Sequence, residues 1–204
     1  DPTEPRRSQD YRFPALNHEP RIQEIHNDLA AKGFQPFHLP LAIKRNDANP
    51  AFSECIRCDT CDGFPCLVHA KSDADVTCVR PAVEESKITL LTQAKVTRLH
   101  TDSSGQRVSQ VEAVINHEPH RFSADIVVVA CGAINSAALL LRSANEHHPN
   151  GLANRSDQVG RNFMKHQNGA IVGLTRKANP SIFQKTLGVN DFYWGEPGFN
   201  FPMG

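Results

Sequence analysis

Residues 125–143 read Asp-Ile-Val-Val-Val-Ala-Cys-Gly-Ala-Ile-Asn-Ser-Ala-Ala-Leu-Leu-Leu-Arg-Ser. The apolar run at 126–130 is rich in β-branched residues and has no polar alternation. Such a run predicts a strand with both faces covered, as in a parallel α/β sheet. Small residues follow at 131–133, and the alanines and leucines of 134–142 are typical of a helix. The segment therefore predicts a strand, a turn and a helix.

The turn of this predicted unit leaves room for a ligand near the backbone. Gly132 permits a tight turn, and Asn135 or Ser136 is expected to cap the first helical amides. The start of the helix then directs N–H groups and the positive end of its dipole toward the space above the turn. From these residues alone, a nucleotide-binding turn and an ordinary βα unit fit equally well.

The sequence Val-Val-Ala-Cys-Gly-Ala-Ile-Asn-Ser at 128–136, followed by a leucine-rich helix, resembles the second signature of the glucose–methanol–choline (GMC) flavoprotein oxidoreductases. The signature's usual Pro and Gly are replaced here by Ala137 and Ala144. The resemblance implies a strand and helix of an FAD-binding domain whose turn lies near the flavin nucleotide. It implies that the cofactor is contacted by four turn residues: Ala130, Cys131, Gly132 and Ser136.

A series of short β-branched segments precedes this unit. Those at 88–92, 94–99, 108–115 and 121–122 predict an antiparallel meander with turns between its strands. The order of the segments is similar to that in GMC flavoproteins, where the valine matching Val96 lies beside the adenine of FAD. The resemblance gives Val96 that role, although a core valine fits its surroundings equally well.

A second stretch that resembles the family follows the predicted helix. Residues 159–166 read Val-Gly-Arg-Asn-Phe-Met-Lys-His, similar to the segment that crosses from the flavin domain to the substrate domain. The resemblance implies that Gly160 approaches the cofactor closely and that Asn162 hydrogen-bonds it. His166 is expected to be structural or to support residues of the site without touching the substrate, because the family's catalytic histidine lies much later in the chain.

Four cysteines crowd into twelve residues, with spacings of two, two and four: Cys55, Cys58, Cys61 and Cys66. Zinc ribbons normally separate two Cys-x2-Cys pairs by a long loop, so this spacing is closer to the compact runs that hold iron–sulfur clusters. Three interpretations remain open. The thiols are free and line a flavin or substrate cavity, or they bind an iron–sulfur cluster, or they form a structural zinc site or a local disulfide.

The remaining patterns predict further elements on either side of the cofactor segments. Pro20 to Gly33 predicts an amphipathic helix, and Ser72-Asp73 is expected to cap a helix that runs to about Glu85. Residues 171–175 predict a strand of a substrate domain. The aromatic-rich stretch 183–201 is expected to line a substrate cavity or to pack in a core.

We expect a mixed α/β fold in which the chain contributes to two domains. Residues 1–86 are assigned to a substrate or cap region that includes the cysteine loop. Residues 87–145 are assigned to part of a Rossmann-like FAD-binding domain, and residues 146–204 to the crossover and the start of a substrate-binding domain. The chain begins and stops inside irregular sequence, which suggests a piece of a longer protein.

Composition restricts the partners of the chain. Acidic and basic residues number 22 each, so there is no electrostatic argument for binding nucleic acid or an anionic membrane. No apolar run is long enough to span a bilayer and none near the start is typical of a signal peptide, so a cytoplasmic location is expected.

The combined interpretation is the central part of an FAD-dependent oxidoreductase that acts on a CH–OH group of an alcohol, sugar or polyol. No two glycines lie two residues apart, so the Gly-x-Gly-x-x-Gly pyrophosphate motif is absent, as is the family's late catalytic histidine. The chain is therefore expected to carry no catalytic residue and to be inactive alone. The electron acceptor is not indicated. The alternative is an iron–sulfur or zinc module built on the four clustered cysteines.

Overall fold

The computed structural model describes residues 8–193, except 12, 62 and 166–168, together with residues 195 and 198. The chain divides into two compact units: unit 1 comprises residues 1–88 and 173–204, and unit 2 comprises residues 89–172. Helices and antiparallel sheets occur together, which confirms the predicted mixed α/β class. In chain order the elements are α1 (Pro20–Ala31), β1 (Phe37–His38), α2 (Arg80–Glu84), β2 (Ala94–Thr101), β3 (Val108–Ile115), β4 (Glu118–Phe122), α3 (Gly132–Arg142) and β5 (Leu187–Gly188).

Unit 1 is built around α1 and a short two-stranded sheet. The helix begins at Pro20, where a missing N–H costs nothing, and ends two residues before Gly33, whose φ is +89°. β1 pairs antiparallel with β5, so Phe37 faces Gly188 across the ladder. A short 3₁₀ turn covers Pro50–Phe52. The predicted helix after Ser72-Asp73 is confirmed as a π-helical turn, Asp75–Val79, that continues into α2.

Unit 2 consists of a three-stranded antiparallel sheet with α3 packed on β2. The strands follow one another as a meander, β2–β3–β4, with Leu99 opposite Val111 and Ile115 opposite Glu118. This confirms the predicted meander, except that residues 88–92 form no strand. The core consists of Leu99, Leu139 and Leu152, against which six partly buried residues pack: Val96, Val108, Val111, Val127, Val129 and Leu140.

The prediction of a doubly covered strand at residues 126–130 was wrong for this chain. No strand is assigned there, and Ile126 and Val128 are 81% and 78% exposed. Val127 and Val129 pack against the core, so only one side of the segment is covered. A strand needs ladder hydrogen bonds to a neighbour, and within the described part of the chain no neighbouring strand pairs with this run.

One prediction for the last fifty residues differs from the structure, and another agrees with one of its two alternatives. Residues 171–175 form no strand, and Ile171 is fully exposed. The described part of the aromatic stretch 183–201 packs inside unit 1, where Phe183 is buried under the Arg45 guanidinium at 5.0 Å from the ring centroid. Phe192 contacts Phe34 edge to face. Trp194 and Phe201 lie outside the described residues.

Three histidine rings from three segments of unit 1 meet beside the β1–β5 sheet. His18 stacks on His38 with ring centroids 3.9 Å apart, and His26 lies 5.4 Å from His18. The ring nitrogen Nδ1 of His18 is 2.8 Å from the Thr186 hydroxyl, and Nδ1 of His38 is 2.8 Å from the Leu16 carbonyl oxygen. Burial, and then the neighbouring His38 and His26, lower the pKa of His18 to about 4.

This histidine stack predicts a loss of stability in mild acid. Between pH 6.5 and about 4 the unfolded chain binds a proton at His18 that the folded chain does not, so the free energy of unfolding decreases as the pH falls through that window. Because the ring is partly exposed, solvent screening reduces the effect, and we expect about 1–2 kcal/mol. Urea unfolding followed by circular dichroism at pH 7 and pH 4.5 measures it.

The matched control for this pH effect is His18→Asn, since the amide can still meet the Thr186 hydroxyl but does not titrate. The loss of stability between pH 7 and pH 4.5 should be smaller in this variant than in the wild type. An equal loss in both proteins would show that His18 does not cause it.

Candidate functional site

The start of α3 carries a set of uncommitted backbone donors. No side chain caps the helix, and its first turn, including Cys131 and Gly132, is exposed. The first N–H groups of a helix have no partner within the helix, so they remain available to a ligand or to water. Gly132 has φ +77°, and a Cβ atom placed on it would meet nothing within 4 Å. The turn can therefore receive an anionic or hydrogen-bonding group at its backbone.

Ser136 does not cap the helix as predicted. α3 begins at Gly132, so Ser136 already lies in the second turn. Its Oγ accepts the N–H of Cys131 at 3.0 Å, which fixes the chain as it enters the helix. Asn135 makes no capping bond to the helix either. The amides at the start of α3 are therefore freer than the sequence indicated, because the Ser136 hydroxyl is bonded to the Cys131 N–H instead.

Gly160 lies along the same helix. Its Cβ position is 3.2 Å from Leu141 Cδ1 and 3.9 Å from Ala137 Cβ, and its φ is +79°. Asn162 also has positive φ, +55°, and its Nδ2 donates to Gln158 Oε1 at 3.3 Å. The structure thus places Gly160 against the helix that follows the turn. Asn162 makes a local hydrogen bond, and its predicted contact with a cofactor stays a prediction.

Val96 belongs to β2 and faces Ala113 of β3. Its side chain packs against the Leu99–Leu139–Leu152 core, in company with Val127 and Val129 from the segment that leads into the turn. A register shift follows immediately, between Val96 and Arg98, so the ladder is interrupted there. Val96 is therefore a core residue, and its implied contact with the adenine stays a prediction. The implied cofactor contacts of the turn residues also stay predictions: Ala130, Cys131, Gly132 and Ser136.

Two buried polar side chains that the sequence did not single out shape this part of unit 2. Ser143 is fully buried; its Oγ donates to the Leu139 carbonyl at 2.7 Å and accepts the N–H of Leu99 at 2.9 Å, which ties the end of α3 to β2. Asn154, 3% exposed, donates to the Asn150 carbonyl at 2.7 Å and accepts the N–H of Val159 at 2.9 Å. Asn154 thereby shapes the loop that delivers Gly160.

The described residues of the cysteine loop in unit 1 are not arranged as a metal site. Among the described residues, which include all six cysteines, no group of three or more His, Cys, Asp or Glu side chains is arranged to hold a metal ion. The thiols find local partners instead: Cys55 Sγ accepts the N–H of Arg57 at 3.5 Å, and Cys66 Sγ accepts that of Ala70 at 3.3 Å. The iron–sulfur or zinc alternative is not supported.

His166 lies outside the described residues. In the described part of the chain, no helix is both long and apolar enough to cross a membrane.

Comparison with known proteins matches residues 18–168 to the family described as GMC oxidoreductase. A 6'''-hydroxyparomomycin C oxidase from Streptomyces lividus is 34% identical over 179 residues, which cover 87% of this chain and 32% of that protein. A paromamine 6'-oxidase from Streptomyces fradiae is 39% identical over 133 residues, covering 64% of this chain and 24% of that protein.

The large subunit of a fructose dehydrogenase from Gluconobacter japonicus is 31% identical over 112 residues, covering 52% of this chain and 20% of that protein. The chain thus spans a third or less of the length of these curated relatives.

Proposed function

This chain belongs to the GMC oxidoreductase family, a family that binds FAD, and from that premise we propose that it is the central part of an enzyme that oxidises a CH–OH group of a sugar, polyol or other alcohol. The exposed, uncapped start of α3, with Gly132 in a left-handed conformation above open space, is the observation that carries the proposal. When bound, FAD supplies the hydride acceptor for the oxidation of the alcohol.

The residues at the turn fit a cofactor that carries phosphate groups. Backbone N–H groups at the start of an eleven-residue helix favour an anion, through direct hydrogen bonds and through the helix dipole. Since no side chain occupies these amides and no acidic residue lies in the first turn, nothing in α3 competes with an incoming phosphate. We propose that the amides from Gly132 onward hold the nucleotide part of FAD, with Cys131, whose own N–H is bonded to Ser136 Oγ, beside it.

The other residues of unit 2 act by shaping this turn. Ser136 fixes the peptide of Cys131 through its hydroxyl, and Val127 and Val129 anchor the incoming segment on the core. We propose that Gly160, which lies against α3, lets the following segment approach the cofactor, and that Val96 borders the adenine. We further propose that residues 87–145 belong to a Rossmann-like FAD domain and that residues 146–204 lead into a substrate domain.

The substrate class rests on the relatives. The two Streptomyces proteins are named as oxidases of 6'''-hydroxyparomomycin C and of paromamine, and the Gluconobacter protein as the large subunit of a fructose dehydrogenase. We propose that the substrate is a hydroxyl group of a sugar or amino sugar. The base that takes the hydroxyl proton and the Gly-x-Gly-x-x-Gly motif that holds the FAD pyrophosphate would both lie outside this chain. The 204-residue chain alone should therefore show neither stably bound flavin nor alcohol oxidation.

The proposed activity can be tested on the full-length protein that contains this chain. We expect the purified protein to carry an oxidised-flavin absorption band, and an aminoglycoside or sugar alcohol added without oxygen should bleach that band. Bleaching reports hydride transfer to the flavin, independently of the electron acceptor. A protein that purifies and refolds without flavin, or a flavin band that no sugar, amino sugar or polyol bleaches, would contradict the proposal.

The placement of FAD at the α3 turn predicts a charge-specific effect of Ala133→Glu. Ala133 is exposed in the first turn, where an acidic side chain interacts favourably with the helix dipole. The substitution should therefore not destabilise the fold. The same carboxylate repels a phosphate held at the turn, so in the full-length protein we expect the Kd for FAD to rise by roughly 10-fold or more. FAD titration followed by flavin fluorescence measures the change.

Ala133→Gln is the matched control, because it adds similar volume without the charge. It should raise the Kd for FAD much less than the Glu variant. Equal effects of Glu and Gln, or no effect of Glu, would place the anionic part of the cofactor elsewhere.

A further inference from the structure

Four cysteines line one cavity in unit 1. The cysteines at 55, 58, 61 and 66 all line this cavity, and all four are free. Its other walls are mainly apolar, and they include Ile43, Phe64, Val68 and Phe183. The structure does not support a metal site at these cysteines. Neighbouring thiols that bind no metal can lose a proton, attack as nucleophiles and form disulfides.

The four thiols do not have equal surroundings, because Cys66 lies in a pocket of backbone donors. Its Sγ accepts the N–H of Ala70 at 3.3 Å. Burial raises the pKa of the Cys66 thiol, but hydrogen bonds from the backbone of Ala70, Lys71 and Val68 and the charge of Lys71 outweigh it, so the pKa lies below its ordinary value. Since the thiolate is the nucleophilic form, this environment favours attack by Cys66.

Lys71 also connects Cys66 with Cys61. Its Nζ donates to the Cys61 carbonyl at 2.6 Å and to the Phe64 carbonyl at 3.0 Å, so the side chain bridges two carbonyls of the segment that joins the two cysteines. Gly63, with φ +80°, lies inside that loop. Because only four residues lie between Cys61 and Cys66 and Lys71 already holds part of this loop, joining the two sulfurs requires little additional ordering of the chain.

We propose that Cys61 and Cys66 form a reversible dithiol–disulfide site for low-molecular-weight disulfides. The Cys66 thiolate attacks one sulfur of a disulfide RSSR, the S–S bond breaks, and RS⁻ leaves as the Cys66–S–SR bond forms. Cys61 then loses its proton to solvent and attacks the Cys66 sulfur, which expels the second RS⁻. The two protein thiols lose two electrons in total, and RSSR gains two electrons as it becomes two thiols.

The test uses the purified full chain and the aromatic disulfide 5,5′-dithiobis(2-nitrobenzoate), with quenched samples mapped by mass spectrometry. We expect Cys66 to be modified roughly 10-fold faster than the exposed Cys78, followed by peptides linked through Cys61–Cys66. The number of thionitrobenzoate molecules released should therefore exceed the number of probe groups that remain attached to the protein. A wild-type link through another pair, or a Cys66 that reacts no faster than Cys78, would overturn the proposal.

Three variants test the role of each cysteine, and far-UV circular dichroism checks that each variant is folded. Cys61→Ser should stop the reaction at a stable mixed disulfide on Cys66, whereas Cys66→Ser should abolish both fast modification and the link. Cys58→Ser is the control, since Cys58 lines the same cavity but takes no part in the exchange. Loss of the Cys61–Cys66 link in the Cys58 variant would show that the assignment of Cys61 is wrong. Mapping of the wild type remains decisive if a variant does not fold.

Discussion

Replacing Leu139 with alanine is expected to destabilise unit 2 by about 3 kcal/mol, within the range measured for buried leucines. Leu139 is 3% exposed and forms the core with Leu99 and Leu152. The valines that flank these residues come from separate segments, so the core cannot collapse around the missing atoms without moving β2 or the segment before α3. The cost should therefore include the cavity as well as the lost burial.

Hydrogen exchange is the appropriate measurement, because it reports unit 2 separately from unit 1. The amides of β2 and β3 should exchange roughly 100-fold faster in Leu139→Ala, which corresponds to about 3 kcal/mol of opening free energy. Ile134→Ala is the matched control: it removes an aliphatic side chain from the same helix, but one that is 67% exposed. The same acceleration in both variants would show that Leu139 is not the centre of this core.

The local elements of the fold could be predicted because their signals lie within a few residues. α1 follows from a proline at its start, apolar residues at helical spacing and a glycine after its end. The meander follows from β-branched runs separated by turn residues, such as Asp102, whose carboxylate accepts the N–H and hydroxyl of Ser104. Neither prediction required knowledge of which distant segments meet.

The prediction for residues 126–130 was wrong because an apolar composition shows only that a segment can be buried. Whether the segment is buried depends on which other segments pack against it. Val127 and Val129 find the core of unit 2, while Ile126 and Val128 meet solvent. The family resemblance nevertheless rests on residues 128–136, which overlap this run, because a resemblance depends on the identity of the residues. Strand formation depends on hydrogen-bonded neighbours.

The polar contacts of the candidate site were the least predictable part. Serine hydroxyls can cap helices, accept from loop amides or bond back to a carbonyl, and the sequence does not choose among them. Ser136 was expected to cap α3 and instead accepts from Cys131. Ser143 and Asn154 are residue types that are mostly exposed, so their burial and their two hydrogen bonds each could not be read from the chain.

A single methyl group added at Gly151 should be strongly destabilising. Its φ is +100°, and a Cβ atom there would lie 2.9 Å from the Leu141 Cα and 3.1 Å from the Leu140 carbonyl oxygen. Both contacts are with backbone, and the adjacent Leu152 N–H is hydrogen-bonded to that same Leu140 carbonyl at 3.0 Å, so the loop cannot retreat without losing the bond. Strain in this region of φ and the clash together should cost Gly151→Ala about 3 kcal/mol.

Gly169→Ala is the matched control for the strain and the clash at Gly151. Gly169 lies in the same unit, has no positive φ, and has nothing within 4 Å of its Cβ position. This control should change the exchange of the β2 and β3 amides little, or even slow it, since alanine restricts the unfolded chain. In Gly151→Ala the same amides should exchange roughly 100-fold faster.

The loop that begins at Gly151 also carries Asn154 and Gly160, so this variant in the full-length protein should weaken FAD binding as well. Tight FAD binding in a destabilised Gly151→Ala protein would separate the loop from the cofactor and count against the role proposed for Gly160.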